Sequence, residues 1–259
     1  MASKSNEAWA EELATVTACV LAAADITIDS EITTPDARFA KYIDHTLLKP
    51  DATPAQIDKL CDEALKYKFK SCCVNSHYIP QVTQRLAGSD VIPCVVVGFP
   101  LGAMKSSAKA FETSTAVSDG AKEIDMVLNI GALKSRDYAL VSSDISSVVT
   151  AAAPYPVKVI LETVFLTTEE KIHASYIAAE AGAAFVKTCT GFLGGAASKE
   201  DVALMKKSVA HRPEVKVKAS AGVRSFETAR EMIQAGADRI GTSSGTAIFD
   251  GANVAPGTY

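Results

Sequence analysis

Three times along this chain an amphipathic stretch runs into Gly-Ala and then at once into a short apolar run: SDGAKEIDMV, EAGAAFVKT and QAGADRIGT. A helix that ends on a left-handed glycine and turns straight back into a strand leaves this trace. The glycines are Gly120, Gly182 and Gly236, separated by 62 and 54 residues, about two strand–helix units each time. Further strand candidates fill the gaps. In order they are YIDHTLL from Tyr42, SCCVN from Ser71, VIPCVVV from Val91, EIDMVL from Glu123, VKVILE from Val157, AFVKT from Ala184, VKVKAS from Val215 and RIGTS from Arg239.

Short buried strands that alternate with helices imply a parallel sheet with both faces covered. The helical patterns between them start as helices should: TPAQIDKLCDEALKYK has Thr53 as N-cap and Pro54 at its first position, TTEEKIHASYIAAEAG follows the fifth strand, and SFETAREMIQAG has Ser225 as its cap. Eight such units predict an α/β fold, a single (β/α)8 TIM barrel over residues 40–250. The competing architecture is an open doubly wound sheet, but no G-x-G-x-x-G follows the first strand. Residues 1–39 lie outside the repeat and are expected to form a helical extension that covers the barrel's N-terminal end. Residues 251–259, GANVAPGTY, are expected to be a flexible tail.

A chain of 259 residues with 48% hydrophobic residues can bury one large core, which fits one barrel and argues against a second full domain. Net charge −4, a pI of about 5.6 and few aromatics do not suit a nucleic-acid partner. No apolar stretch reaches membrane-spanning length. Glu7, Glu11 and Glu12 precede the apolar part of the N-terminus, which is unlike a secretory signal, so a cytoplasmic enzyme is the default. The six cysteines form no C-x-x-C pair and, where they lie in periodic segments, read as small buried hydrophobes. The four histidines match no zinc spacing, so neither a metal nor a cofactor is expected.

A barrel of this kind carries its chemistry at the C-terminal ends of its strands. Read in order, those ends present Asp44 with Thr46, Asn75, Gly98, Asp125, Glu162, Lys187, Lys218, and Ser243 with Ser244. Each has a plain reading: Asp44 and Asp125 as caps, Glu162 as partner of a structural lysine, Lys187 as a solvated charge. Together they place acids and lysines on one rim, where shifted ionisation is expected. Two lysines in one pocket suggest Schiff-base chemistry, in which a second ammonium favours the neutral amine of the first. Lys216 shares a face with Lys218 but lies deeper, and Lys158 reads as a structural lysine paired inside the barrel. Gly241 to Ser244 at the start of a short helix, with SAGVR after strand seven, occupy the usual barrel phosphate position. A phosphorylated aldehyde or sugar is the implied ligand.

At these residues the chain resembles the deoxyribose-phosphate aldolase family over about residues 40–250. The resemblance rests on YIDHTLLKPDAT, VVVGFPLGA, EIDMVLNIGALKSRD, VKVILET, FVKTCTGF, VKASAGVR and RIGTSSG, in the family's order. It implies a class I, metal-free aldolase that reversibly cleaves 2-deoxy-D-ribose 5-phosphate to D-glyceraldehyde 3-phosphate and acetaldehyde. By motif, Lys187 matches the Schiff-base lysine, Lys218 the lysine that perturbs it, and Asp125 the proton-relay acid. Asp44 and Thr46 match positions that line the site. Gly191 in KTCTG is taken with the substrate-binding set, and Gly222, Ser243 and Ser244 match the phosphate cradle. The resemblance also implies a homodimer.

The chain departs from the family at Cys189 (often Ser), Ala221 (often Gly) and Lys216 (commonly small). Cys73 could face the pocket and react with unsaturated aldehydes, although an inert buried thiol is the simpler reading. Tyr259 could fold over the site, as a terminal Tyr is thought to do in some members. Two rival functions share many of these features: another Schiff-base barrel aldolase or transaldolase acting on a phosphorylated ketose, and a catalytically silent phosphate-binding barrel.

Overall fold

The structure, a computed structural model, describes residues 4–24, 26, 28 and 31–251. Helix α1 (Asn6–Ala22) and a single turn, α2 (Ala37–Ala40), precede β1 (Ile43–Leu47). There follow α3 (Pro54–Tyr67), β2 (Ser71–Val74), α4 (Ile79–Arg85), β3 (Ile92–Val97), α5 (Ser106–Ser118), β4 (Glu123–Val127), α6 (Ile130–Lys134) and α7 (Tyr138–Ala152). The chain continues through β5 (Val157–Ile160), α8 (Thr168–Glu180), β6 (Phe185–Lys187), α9 (Lys199–Ser208), β7 (Lys216–Ser220), α10 (Phe226–Gln234), β8 (Arg239–Thr242) and α11 (Gly245–Phe249). Every strand pairs in parallel with the next, and β8 closes on β1, so all eight expected strands form one (β/α)8 barrel.

The Gly-Ala phrase does what its composition asks. Gly120, Gly182 and Gly236 have φ of 107°, 92° and 113°. After each, the amide of the following alanine donates to the carbonyl five residues back: Ala121 to Ala116 at 2.9 Å, Ala183 to Ala178 at 3.0 Å and Ala237 to Met232 at 2.9 Å. The same bond closes α3 (Phe69 to Ala64, 3.0 Å) and α6 (Asp137 to Ala132, 2.9 Å). There the left-handed residue is Lys68 (φ 57°) or Arg136 (φ 60°), so the turn recurs where the sequence hides it. Lys68 is exposed and carries a Cβ in a conformation that suits glycine. Lys68→Gly is therefore expected to stabilise the fold by about 0.5 kcal/mol, net of glycine's greater freedom when unfolded. A urea midpoint that fell instead would count against strain at this turn.

Alternation along the strands sorts residues into two faces. The outward face, including Cys72, Val74, Val95, Ile124, Met126, Val159, Val186, Val217 and Ile240, packs under the helices in the main core. Fully burying each such aliphatic side chain contributes roughly 1.5–3 kcal/mol. The inward face differs from the usual branched aliphatic filling. It carries Asp44, Ser71, Glu123, Asp125, Lys158, Lys187, Lys218 and Arg239, all at most 6% exposed. A second, smaller apolar cluster stands at one side of the mouth: Leu48, Cys73, Cys94 and Val96, with Phe99 and Phe192 against it.

Helix α1 corrects one expectation. It lies along the outer wall, against α7, α8 and α9, rather than over the barrel's N-terminal end. Trp9, Leu13 and Val20 bury its apolar stripe there. Its polar flank is fixed by Thr17 Oγ1 with His173 Nε2 (3.0 Å) and by Tyr176 OH donating to Glu12 Oε1 (2.7 Å). The barrel's lower end is filled from within by Phe185, 5% exposed, so no end helix is needed to exclude water. Among the described residues no helix is long and apolar enough to cross a membrane. The tail carrying Tyr259 lies outside the described residues.

Candidate active site

Lys187 and Lys218 sit opposite one another on neighbouring strands β6 and β7. Asp125, from β4, reaches both: its Oδ2 accepts from Lys187 Nζ at 2.8 Å and from Lys218 Nζ at 2.7 Å. Lys218 also contacts Asp44 Oδ2 at 2.5 Å. The four residues anticipated from four separate stretches of sequence thus meet in one buried cluster. A parallel barrel makes this possible, because each strand needs to supply only one inward residue at the same height.

Below them is a layer whose part in the site the sequence reading missed. Lys158 Nζ reaches Asp125 Oδ1 at 2.8 Å and Glu123 Oε2 at 2.6 Å. Arg239 donates to Asp44 Oδ1 at 2.6 Å and to both oxygens of Glu123 at 3.1 and 3.2 Å. Ser71 Oγ donates to Asp44 Oδ1 at 2.6 Å. Lys158 is paired inside the barrel as expected, yet it touches the site acid itself and is no bystander. Glu123 and Arg239 went unread because each opens its strand. Counting back by twos from Asp125 and from Ser243 would have put both on the inward face.

Burial works against every charge here, and the pairing outweighs it. Desolvation alone would lower Lys218, but the carboxylates of Asp125 and Asp44 raise its pKa well above the ordinary lysine range. Lys158 is raised in the same way by Asp125, Cys94 and Glu123. Asp125 would be raised by burial, yet Lys158, Lys187 and Lys218 hold it well below the usual carboxylate range. Asp44 is held low by Lys218, Arg239 and Lys158 against the same burial. Lys218 and Lys158 are therefore cations, and Asp125 and Asp44 are anions.

The remaining expected residues fall at the rim or are re-assigned. Thr46 is buried, with its hydroxyl donating to the Asp44 carbonyl at 2.9 Å, and it shares the lining of a cavity of about 380 Å³ with Ser243, Lys49 and Lys59. Gly191 follows Thr190 in the loop after β6 with φ 84°. Glu162 pairs with no lysine: its Oε2 accepts from Thr190 Oγ1 at 2.5 Å and both oxygens accept from Thr190 N–H at 3.2 Å, bracing the loop that follows Lys187. Lys216 is exposed one inward layer below Lys218, with Nζ 5.9 Å from the Phe185 ring centre, so it does not enter the Lys218 environment. Cys73 faces inward and is fully buried, with its thiol pulled down chiefly by a hydrogen bond with Cys94. Cys189 turns instead to Thr163 Oγ1, 3.3 Å away.

The loops after β6, β7 and β8 are stitched together. Ala197 N–H donates to the Ala221 carbonyl at 2.9 Å, and Thr242 Oγ1 donates to the Val223 carbonyl at 2.7 Å. Ala221 and Gly222 are both left-handed, at φ 81° and 76°. A Cβ on Gly222 would stand 2.6 Å from Ala196 Cβ, so only glycine fits. Ser243 is exposed beside this turn. Ser244 departs from the expected cradle in one respect, since its amide already donates to Thr242 Oγ1 at 2.9 Å, leaving its hydroxyl as the group on offer.

One sulfur–carboxylate group has metal-like spacing, with the ligand atoms of Cys73, Cys94 and Asp125 all within 4.8 Å of one another. Asp125 already accepts from three ammonium groups, so a further cation is poorly matched to it.

This arrangement has known relatives. Residues 38–251 match the sequence profile of the DeoC/LacD family aldolases. The chain belongs to that family. It is 57% identical over 213 residues to the deoxyribose-phosphate aldolase of Staphylococcus carnosus (strain TM300), covering 82% of this chain and 96% of the relative. With the deoxyribose-phosphate aldolase of Brevibacillus brevis (strain 47 / JCM 6285 / NBRC 100599) it shares 56% identity over 219 residues, covering 85% and 98%. Among solved structures, a Coccidioides immitis protein with a provisional deoxyribose-phosphate aldolase name superposes with a TM-score of 0.88 at 38% identity, covering 96% of this chain and 98% of that one. The deoxyribose phosphate aldolase of Aeropyrum pernix, described as tetrameric, gives 0.77 at 30% identity, covering 91% and 95%. The family match begins only at residue 38, so α1 lies outside it.

Proposed function

We propose that this family member is a class I deoxyribose-phosphate aldolase, cleaving 2-deoxy-D-ribose 5-phosphate reversibly to D-glyceraldehyde 3-phosphate and acetaldehyde through a Schiff base on Lys187. The observation that carries the reading is the sharing of one Asp125 oxygen by two lysines of unequal commitment. Among the described residues, Lys218 is bound to Asp125 and Asp44, while Lys187 has Asp125 alone. Lys187 is therefore the less committed of the two amines and the one assigned as nucleophile. Neutral Nζ attacks the C1 aldehyde of the open-chain sugar. Loss of water gives an iminium, which accepts the electrons of the C2–C3 bond as the C3 hydroxyl gives up its proton. Asp125, with Lys218 beside it, is placed to pass these protons and to protonate C2 of the resulting enamine before hydrolysis releases acetaldehyde.

The small apolar cluster supports an acetaldehyde donor over a hydroxylated ketone. Leu48, Cys73, Cys94 and Val96 offer little to a hydroxyl on the donor carbon, which would be desolvated there without a good partner. The phosphate is assigned to the mouth between the Gly222 turn and the hydroxyls of Ser243 and Ser244, with Thr46 and Gly191 on the same rim. As the assembly we keep the homodimer implied by the resemblance.

The test is borohydride reduction in the presence of 2-deoxy-D-ribose 5-phosphate, followed by peptide mass mapping. A two-carbon or sugar adduct is expected on Lys187, with acetaldehyde released in the unreduced reaction. Modification of Lys218 instead would overturn the assignment, and transfer of a ketone fragment would favour a ketose aldolase.

A further inference from the structure

Beneath Lys187 the barrel holds more charge than the bond-breaking step uses. Four cationic groups, Lys158, Lys187, Lys218 and Arg239, are tied to three carboxylates, Asp44, Glu123 and Asp125, in one connected buried network. Fully protonated, it carries one positive charge in excess. A network serving only to hold the strands together gains nothing from a surplus, since buried charge is costly unless matched.

The surplus is unevenly held. Lys158 contacts three carboxylates, Arg239 contacts two, and Lys218 contacts two. Among the described residues, the one carboxylate oxygen Lys187 contacts is the one it shares with Lys218. Losing the proton from Lys187 leaves three cations against three anions, and no other loss costs so few contacts. Water does not screen the balance from below. The Phe185 ring closes that side, with Lys158 Nζ 5.8 Å and the Arg239 guanidinium 5.3 Å from its centre. Charges one layer beneath the reacting amine therefore act on it at low effective dielectric.

We propose that Arg239 and Glu123 are positioning residues for this chemistry: through Asp44 and Lys158 they fix the network's net charge, so that its surplus is discharged as the proton of Lys187. The inference rests on the Schiff-base reading of Lys187. The charged and titratable groups facing that amine are Asp44 from β1, Cys73 from β2, Cys94 from β3, Glu123 and Asp125 from β4, Lys158 from β5, Lys218 from β7 and Arg239 from β8, with Glu162 above, engaged by Thr190. Both thiols are directed to each other or to Asp125, which leaves the floor ion pair as the adjustable charge.

Opposite substitutions in the pair should act in opposite directions. Arg239→Met removes a cation, makes a proton on Lys187 easier to keep, and should move the acidic limb of kcat/KM for 2-deoxy-D-ribose 5-phosphate cleavage toward higher pH. Glu123→Gln removes an anion and should move that limb toward lower pH. Each shift is expected to be on the order of one pH unit. Arg239→Lys keeps the charge and should leave the limb in place even if kcat falls. Loss of kcat with an unmoved limb, or shifts of the same sign in both variants, would reduce the pair to a structural prop and overturn the inference. Should Arg239→Met fail to fold, Lys158→Met removes the other floor cation and must move the limb upward, or the inference fails. Borohydride trapping of the wild-type chain runs in parallel. An adduct on Lys187 with unmoved limbs defeats only this inference, whereas no adduct on Lys187 defeats the Schiff-base reading itself.

Discussion

Lys187→Leu is expected to lower turnover by about 10⁴-fold or more while leaving the chain at least as stable as the wild type. The first half follows from covalent catalysis, because without the nucleophile there is no iminium to accept electrons, and binding alone recovers little of the rate. The second half is less usual for a buried charged residue. Removing one partner of a buried pair ordinarily costs about 3–5 kcal/mol, because an unmatched charge stays behind. Here Asp125 keeps Lys158 at 2.8 Å and Lys218 at 2.7 Å, and without Lys187 the three remaining cations, Lys158, Lys218 and Arg239, still face three carboxylates. Leucine also fills much of the lysine stem's volume. Steady-state assay with thermal unfolding checks both halves together. A variant that is inactive because it melts many degrees early would show Lys187 to be a structural cation, and retained turnover would remove it as the nucleophile.

How much of this was readable beforehand depends on what each position signals locally. The barrel was legible because eight short apolar runs and three glycine turns repeat, and a repeat needs no tertiary knowledge. The turns at Lys68 and Arg136 were not, since a left-handed lysine or arginine has no compositional mark. Lys187, Lys218 and Asp125 stood out as charges at or near the ends of buried runs, and the fold brings them onto one carboxylate oxygen. Glu123 and Arg239 begin their strands, where a charge is commonly solvent-exposed, so only inward parity distinguishes them. Glu162 was legible as a buried acid but not in its partner, because Thr190 lies 28 residues away and nothing in either stretch announces the pairing. The course of α1 was illegible for a related reason: Trp9, Leu13 and Val20 show that the helix is buried on one side, not which surface receives it.

Asp125→Asn should be damaging in both respects. It keeps the shape and one acceptor, but it removes the only carboxylate among the described residues that touches Lys187 and deletes a partner of Lys158 and Lys218. Only Asp44 and Glu123 are then left to match Lys158, Lys218 and Arg239, so a loss of about 3–5 kcal/mol of stability is expected. Turnover should fall by roughly 10²–10⁴-fold, the usual contribution of a positioned proton-transfer group. The pH dependence gives the argument a sign. Asp125 is held well below the ordinary carboxylate range, with burial opposing and Lys158, Lys187 and Lys218 prevailing. A carboxylate whose pKa is depressed on folding contributes stability in full above its unfolded value of roughly 3.9, and that contribution is lost as pH falls toward the folded value. Wild-type stability should therefore drop steeply as the medium is acidified below about pH 4, and the drop should be shallower in Asp125→Asn, where one such group is gone and Asp44 remains. Urea unfolding of both chains between neutral and acid pH measures the difference directly. Parallel curves would mean that Asp125 is no better paired in the folded chain than in the unfolded one, and the buried carboxylate could not be the hub on which both lysines depend.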